Sequence, residues 1–337
     1  MMHNNRLTQT LSTSRCVDET QRCVVVSYNL HGYNQGFSGI KDLVNVLCPD
    51  VIMVQEHWLY PSNLFKLDEV DSGYISFGSS AMNDKVGLGP FYGRPYGGTA
   101  ILTKRELAPY VSNVISNERF TVIKLFDWLM FNVYMPCSGT LNRHLIYSDI
   151  IHEIQSLFSV YPDCNYLIGG DFNVCLDSSS PDGDIVKNFL LHNNLLRCDV
   201  LFPVATKYTY VNEALNRTST IDYFITSNSD STVAFNILDI DVNLSDHLPI
   251  MAVCLCKQST TPATFKTDNS AVTLHLRRDH APLTRYYMII LDCFCSLFLR
   301  NSARWKQRVS VTLTILTKEL MHCMTMSLML CDLPQTC

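Results

Sequence analysis

The chain has 337 residues, 47% hydrophobic and 17% charged, which suffices for one domain of roughly 250 residues plus an appendage or for two ordinary domains, and which argues against disorder. The net charge is −5, but residues 258–337 carry nine Lys and Arg against five Asp and Glu (+4), leaving −9 on residues 1–257; such a body is ill suited to nonspecific phosphate neutralisation, though not to an enzyme that recruits cations. Fourteen scattered cysteines, C-x-C rather than C-x₂-C spacing at Cys254/Cys256 and Cys293/Cys295, and an N-terminus with no apolar run predict reduced thiols, no zinc site and no signal peptide.

The first 21 residues are polar, and "RCVVVSYNL" (22–30) then reads as a short buried strand. A helical spacing of Ile40, Leu43, Val44 and Leu47 leads to a second strand, "DVIMVQE" (50–56). Further strands are expected at 97–104, 119–126, 128–136, 165–173, 220–227 and 248–256. A surface helix is expected over Leu145–Phe158 and a weaker one near 185–195. In "YLIGGDFNVCLD" the pair Gly169 and Gly170 suggests a turn that ends the strand and exposes Asp171 and Asn173, with Phe172 turned into the core. After Cys256 a polar linker precedes apolar helical stretches near 286–299 and 311–330, both interrupted by charge and neither a convincing membrane span.

The polar residues at the strand ends form a pattern. Asn29, Gln55 with Glu56, Tyr134, and Asp171 with Asn173 each stand at the end of a strand, the strand at 220–227 carries Asp222, and Asp246 and His247 immediately precede the last one. Singly, each has an ordinary reading as a turn former or a satisfied core residue. Together, carboxylates, amides and one histidine are what a hard divalent cation and a phosphate ester require: oxygen ligands, donors for phosphoryl oxygens, and a base for water.

In that order, "YNLHG", "VQEHWL", "GGTAIL", "NVYMP", "GGDFN", "STIDY" and "SDHLP" resemble the endonuclease/exonuclease/phosphatase superfamily over about residues 22–256, and most closely the apurinic/apyrimidinic-like endonuclease domain of non-LTR (LINE-type) retrotransposons. The resemblance implies an α/β four-layer sandwich, with two packed mixed sheets flanked by helices. It implies Mg²⁺, with Mn²⁺ as a substitute, held by Glu56 with Asn29 and with Asp246 as a further contact. Asp171 would orient or deprotonate the attacking water, and Asn173 would hold phosphate and nucleophile in line. His247, paired with Asp222, would face a non-bridging oxygen, and Tyr134 would donate to the phosphate or the leaving oxygen. Thr209 falls where the family carries a hydroxyl near the phosphate, and Arg143 is a loosely aligned DNA contact whose alternative is a helix N-terminal arginine.

The activity so implied is nicking of DNA, with DNA as partner and, in a complete element, a downstream reverse transcriptase. A monomer with no membrane association is expected, intracellular, and nuclear if it acts on genomic DNA. The alternatives are another phosphoester hydrolase of the superfamily, against which "STIDYF" speaks because inositol polyphosphate phosphatases carry a W-C-D-R type motif there, and an inactive retrotransposon-derived remnant. Two segments are candidates for touching DNA: the glycine-rich loop Gly78–Gly98, with Lys85 and Arg94, and a hairpin tip within Val211–Ser219 that offers Arg217.

Overall fold

A computed structural model describes residues 20–83, 93–241 and 243–257. The N-terminal segment, Lys85 with the middle of the glycine-rich loop, the Cys293/Cys295 pair and the two helices expected near 286–299 and 311–330 lie outside the described residues.

One six-stranded sheet has the order β13-β14-β1-β2-β4-β3, built from β1 (Thr20–Asn29), β2 (Val51–Gln55), β3 (Tyr74–Ser79), β4 (Thr99–Lys104), β13 (Thr232–Ile237) and β14 (Ile250–Lys257). The other has the order β5-β6-β7-β8-β12-β9, from β5 (Val111–Ser116), β6 (Phe120–Leu125), β7 (Trp128–Tyr134), β8 (Asn165–Asp171), β9 (Leu196–Arg197) and β12 (Asp222–Thr226). A hairpin of β10 (Tyr210–Asn212) and β11 (Arg217–Ser219) stands apart from both. Helices α1 (Tyr33–Leu47), α2 (Arg143–Val160), α3 (Pro181–His192), the single turn α4 (Cys198–Leu201) and short 3-10 turns at Pro61–Leu67, Arg105–Tyr110 and Glu213–Leu215 are the helical elements among the described residues.

Period-two alternation along the strands sets the layers. Val25, Val51, Met53 and Ile101 of the first sheet meet Ile123, Met130, Leu167 and Phe224 of the second in a central core. Their neighbours Val26, Ile52, Val54 and Leu102 face the other way, onto Ile40, Leu43 and Val44 of α1. On the far side, Leu129, Phe131, Ile168, Tyr223 and Ile225 pack against Tyr147, Ile150 and Ile154 of α2 and Val186 and Phe189 of α3. The result is four layers: helix, sheet, sheet, helices. Helix α3 begins where Ser180 accepts a hydrogen bond from the Gly183 amide and Pro181 occupies the first turn, as capping chemistry dictates.

The glycine pair does not form a turn. β8 continues through Gly169 and Gly170 to Asp171, and both glycines are buried. A Cβ on Gly169 would strike the Phe224 ring, and one on Gly170, whose φ is 137°, would strike the Val133 backbone of the neighbouring strand. They are glycines because two strands and a ring approach there, and Asp171 is buried at 1% exposure rather than displayed. Phe172 is in the core, as expected.

Candidate active site

Strand direction and alternation together bring the polar residues to one edge of the cleft between the sheets. β1 runs parallel to β2, pairing Asn29 with Gln55, and β7 runs parallel to β8, pairing Tyr134 with Asp171. β12 is antiparallel to β8, so its first residue, Asp222, stands opposite Asp171. β14 is antiparallel to β1, which delivers Asp246 and His247 to the same edge just before Ile250 pairs with Ser27. Because Val25, Met53, Met130, Leu167 and Phe224 face the inter-sheet core, the same alternation turns Asn29, Gln55, Tyr134, Asp171 and Asp222 into it as well.

Asp171 is the hub. Its Oδ1 accepts from the Asn173 amide at 2.7 Å, and its Oδ2 accepts from Asn29 Nδ2 and Asn173 Nδ2, both at 3.0 Å. Burial pushes its pKa up to about 8, with the Asp222 charge adding to the rise and His247 opposing it. His247 is buried, and its Nδ1 lies 2.9 Å from Asp222 Oδ2. Burial works against its charge, but Asp222, Asp171 and Asp246 prevail and raise its pKa to about 10. Its Nε2 faces Asp171 Oδ2 and Asp246 Oδ1, each at 4.0 Å, too far to bond either and near enough for an oxygen between them. Burial and the charges of Glu56 and Asp171 hold Tyr134 protonated, so its hydroxyl keeps a proton to donate.

Glu56 occupies a left-handed bend, φ 53°, directly after β2. Its Oε1 accepts from Asn29 Nδ2 at 3.1 Å and its Oε2 from Trp58 Nε1 at 3.0 Å. His31, Trp58 and Asn173 are also left-handed, with φ of 49°, 50° and 52°, so four non-glycine residues around one cleft hold a conformation that costs each of them about 1 kcal/mol or more. Asn29 turns its amide nitrogen to Glu56 and Asp171, while its Oδ1 accepts from the His31 amide. It separates two carboxylates as a donor; as an oxygen ligand its amide would have to turn over.

Other expected residues take different places. Gln55 is fully buried and bonds Ser27 and Asn132, bolting the sheets together behind the cleft. Thr209 is also fully buried, and its Oγ1 accepts from the amides of Ile221 and Asp222, both at 3.1 Å. It positions Asp222. Arg143 bonds Asp182 Oδ2 and the Asn173 carbonyl at 2.6 Å, Pro136 O at 2.9 Å and the Tyr147 hydroxyl at 3.0 Å. Its guanidinium is engaged internally as a brace under Asn173, and it stands at the first residue of α2, the helix N-terminal place of its alternative reading. Arg94 is exposed, with its guanidinium 4.4 Å from the centre of the Trp58 ring, and Arg217 is exposed at the start of β11.

Sequence reasoning missed Trp58, His31, Ser245 and Tyr210. Trp58 holds Glu56, and His31 Nδ1 lies 2.9 Å from Asp246 Oδ1. Ser245 Oγ donates to the Asn29 carbonyl and accepts from the His247 amide, joining the last strand to the first, while the Tyr210 ring lies 5.0 Å from His247. All four stand within two residues of an expected site residue, in "NLHG", "EHW", "YTY" and "SDH".

The chain matches the Endonuclease/Exonuclease/phosphatase family over residues 26–247. It belongs to that family. No curated protein matches it in sequence. Among solved structures it is similar to the AP endonuclease LMAP from Leishmania major (15% identity, TM-score 0.57, covering 69% of this chain and 88% of that one). It is also similar to the 3′ phosphatase NExo from Neisseria, solved with a product DNA hairpin (15%, 0.52, 68% and 98%). A third likeness is to an endonuclease/exonuclease/phosphatase family protein from Bacteroides thetaiotaomicron (18%, 0.53, 71% and 99%). The fold is thus that of the endonuclease/exonuclease/phosphatase family, and phosphoester hydrolysis is its activity class. No helix among the described residues is long and apolar enough to cross a membrane.

Enzymes of this family use divalent metals, and the residues present fit one. Four carboxylates, Glu56, Asp171, Asp222 and Asp246, converge with one imidazolium to compensate them. Asp246 Oδ1 is buried and receives no hydrogen bond of acceptable geometry despite the nearby His31. Asp171, Asp222 and His247 are close enough to hold an ion, but an imidazole kept protonated against Asp222 has no lone pair for it. Glu56 and Asp246, both partly exposed, offer carboxylate oxygens of the kind a hard cation that keeps several waters takes.

Proposed function

We propose that the chain is a Mg²⁺-dependent DNA endonuclease that nicks one strand by direct attack of water on a phosphodiester. Mn²⁺ would substitute. The nick would leave a 3′-hydroxyl able to prime reverse transcription, as in target-site nicking by a non-LTR element, where a downstream reverse transcriptase would extend it. Acting on genomic DNA as a monomer, the protein would work in the nucleus.

The observation that carries this reading is the His247 Nε2 proton aimed between two carboxylates and bonded to neither. A phosphoryl oxygen placed there receives a charge-assisted hydrogen bond from a donor whose other nitrogen is fixed by Asp222. Asp171, with its pKa near working pH, takes the proton from the attacking water. Both Asn173 amide hydrogens are engaged by Asp171 and Met135 O, which leaves its Oδ1 to accept the second water hydrogen and aim the nucleophile. As the new O–P bond forms and the bond to the 3′ oxygen breaks, Tyr134 donates toward the leaving oxygen. A divalent ion at Glu56 and Asp246 would supply Lewis-acid stabilisation of the phosphoryl charge.

The test is nicking of supercoiled plasmid by the full chain with Mg²⁺, with chelator, and with Asp171→Asn. Open circles that require metal and fall by about 10³-fold or more in the variant are expected. A folded, metal-loaded protein that leaves plasmid and abasic DNA intact but hydrolyses small phosphate esters would overturn the nuclease reading and restore the phosphatase alternative.

A further inference from the structure

Trp58 has no chemistry of its own toward a cation, yet its contacts converge on the two carboxylates that face one. Its indole Nε1 donates to Glu56 Oε2 at 3.0 Å while Asn29 Nδ2 donates to Oε1, so each oxygen of Glu56 meets one neutral donor. His31 leans on the same ring, with centroids 4.9 Å apart and planes at 57°, and its Nδ1 lies 2.9 Å from Asp246 Oδ1. The Arg94 guanidinium also lies against the indole, 4.4 Å from its centre. One side chain therefore reaches Glu56 directly and Asp246 through a single intermediary.

The backbone is shaped to hold that ring. Glu56, Trp58 and His31 all stand in left-handed bends, and the bends are tied together by the Gly32 amide, which donates to Glu56 O at 2.8 Å. The Trp58 amide donates in turn to Gly97 O at 3.0 Å. Gly32 lies against the indole, where a Cβ would come within 2.5 Å of ring atom Cε3. Bends of this kind persist only where their surroundings over-determine them, and what these secure is the direction of one N–H.

The type of donor is informative. An indole N–H carries no formal charge and accepts nothing. It fixes the plane of Glu56 while leaving the carboxylate its negative charge and its remaining lone pairs, whereas a lysine or arginine in that place would offset the charge a cation needs. Hydrogen bonds to ligating groups commonly govern metal affinity by about 10–100-fold.

Resting on the metal-dependent reading above, we propose that Trp58 is the positioning residue of the divalent-ion site: it holds Glu56 by its N–H and Asp246 by way of His31, and thereby sets the affinity for the ion.

The experiment titrates the full chain with Mn²⁺ in the absence of DNA and reads free Mn²⁺ by its electron paramagnetic resonance. It compares wild type, Glu56→Gln, which identifies the binding that belongs to this site, and Trp58→Phe, which keeps a ring beside Gly32 and removes the N–H. A further form carries benzothienylalanine at position 58, the same bicycle with sulfur in place of the N–H, so that loss of the donor is separated from loss of ring size. Thermal melting in chelator establishes that each is folded. Expected are about ten-fold weaker Mn²⁺ binding in both position-58 forms. In plasmid nicking, the greater part of their loss should fall in the Mg²⁺ activation constant and the lesser part in the rate at saturating ion. Folded position-58 forms that bind Mn²⁺ as wild type does, or a wild type whose Mn²⁺ binding Glu56→Gln does not reduce, overturn the proposal. The nuclease reading is scored separately: Trp58-dependent Mn²⁺ binding by a wild type that leaves DNA intact keeps this proposal and removes the nuclease, and nicking with unaltered ion affinity in the position-58 forms does the reverse.

Discussion

Arg143 distinguishes a brace from a DNA contact, and the two roles predict opposite measurements. Replacing it by Met removes four hydrogen bonds, among them an ion pair with Asp182 whose partners are only 20% and 14% exposed. Charge-assisted bonds of this kind contribute about 1.5–3 kcal/mol each when buried. Discounting for partial exposure and for water that can enter, the four together come to about 3 kcal/mol. In a domain of this size that lowers the melting temperature by about 6–12 °C. Arg143→Lys keeps the charge but not the fork, and so should lose about half as much. Unfolding in urea gives the stability, and DNA affinity measured against salt concentration gives the other arm. As a brace, Arg143→Met is destabilised, nicks poorly because Asn173 is no longer held, and retains its salt dependence. A stable Arg143→Met protein whose salt slope falls by about one unit would refute the assignment and return Arg143 to the phosphate backbone.

Two further outcomes follow from the same site. Folded Asp171, at about 8, holds a proton that the unfolded chain releases near its ordinary value of about 4, so metal-free stability falls as pH rises through that window by about 1 kcal/mol per unit; Asp171→Asn should flatten the decline in denaturation curves between pH 5 and 8, and an unchanged slope would contradict the assignment. Gly170→Ala, which sets a Cβ against the Val133 backbone at a φ of 137°, should cost about 3 kcal/mol or more, whereas Gly139→Ala, with open space around it, should cost only about 1 kcal/mol for its positive φ; thermal melting compares the two.

What the sequence made legible followed from strand physics. The central strands are short apolar runs, and the polar residue that ends β1, β2, β7 and β8 is visible without any contact information. β3, β5 and β13 escaped because they lie toward the sheet edges and are only partly buried, so no continuous apolar run announces them. Gly169 and Gly170 were misread because a glycine pair signals a turn and a close approach alike, and only the neighbouring Val133 and Phe224 decide between them. Arg143 and Thr209 show a similar limit: residue type gives hydrogen-bonding capacity, and the partners that consume it come from segments distant in the chain.

Asn29 of one sheet reaches Asp171 of the other across 142 positions of sequence, and Ser245 then closes onto Asn29 from 216 positions away. The first and the last strands among the described residues therefore border one reaction centre. A chain growing from its N-terminus carries the carboxylates of Glu56 and Asp171 before His247 is made, with no His247 imidazolium opposite them until β14 docks beside β1. Hydrolytic competence is in this way a report on completed assembly: a half-built or locally opened sandwich holds mutually repelling acids and cannot cut.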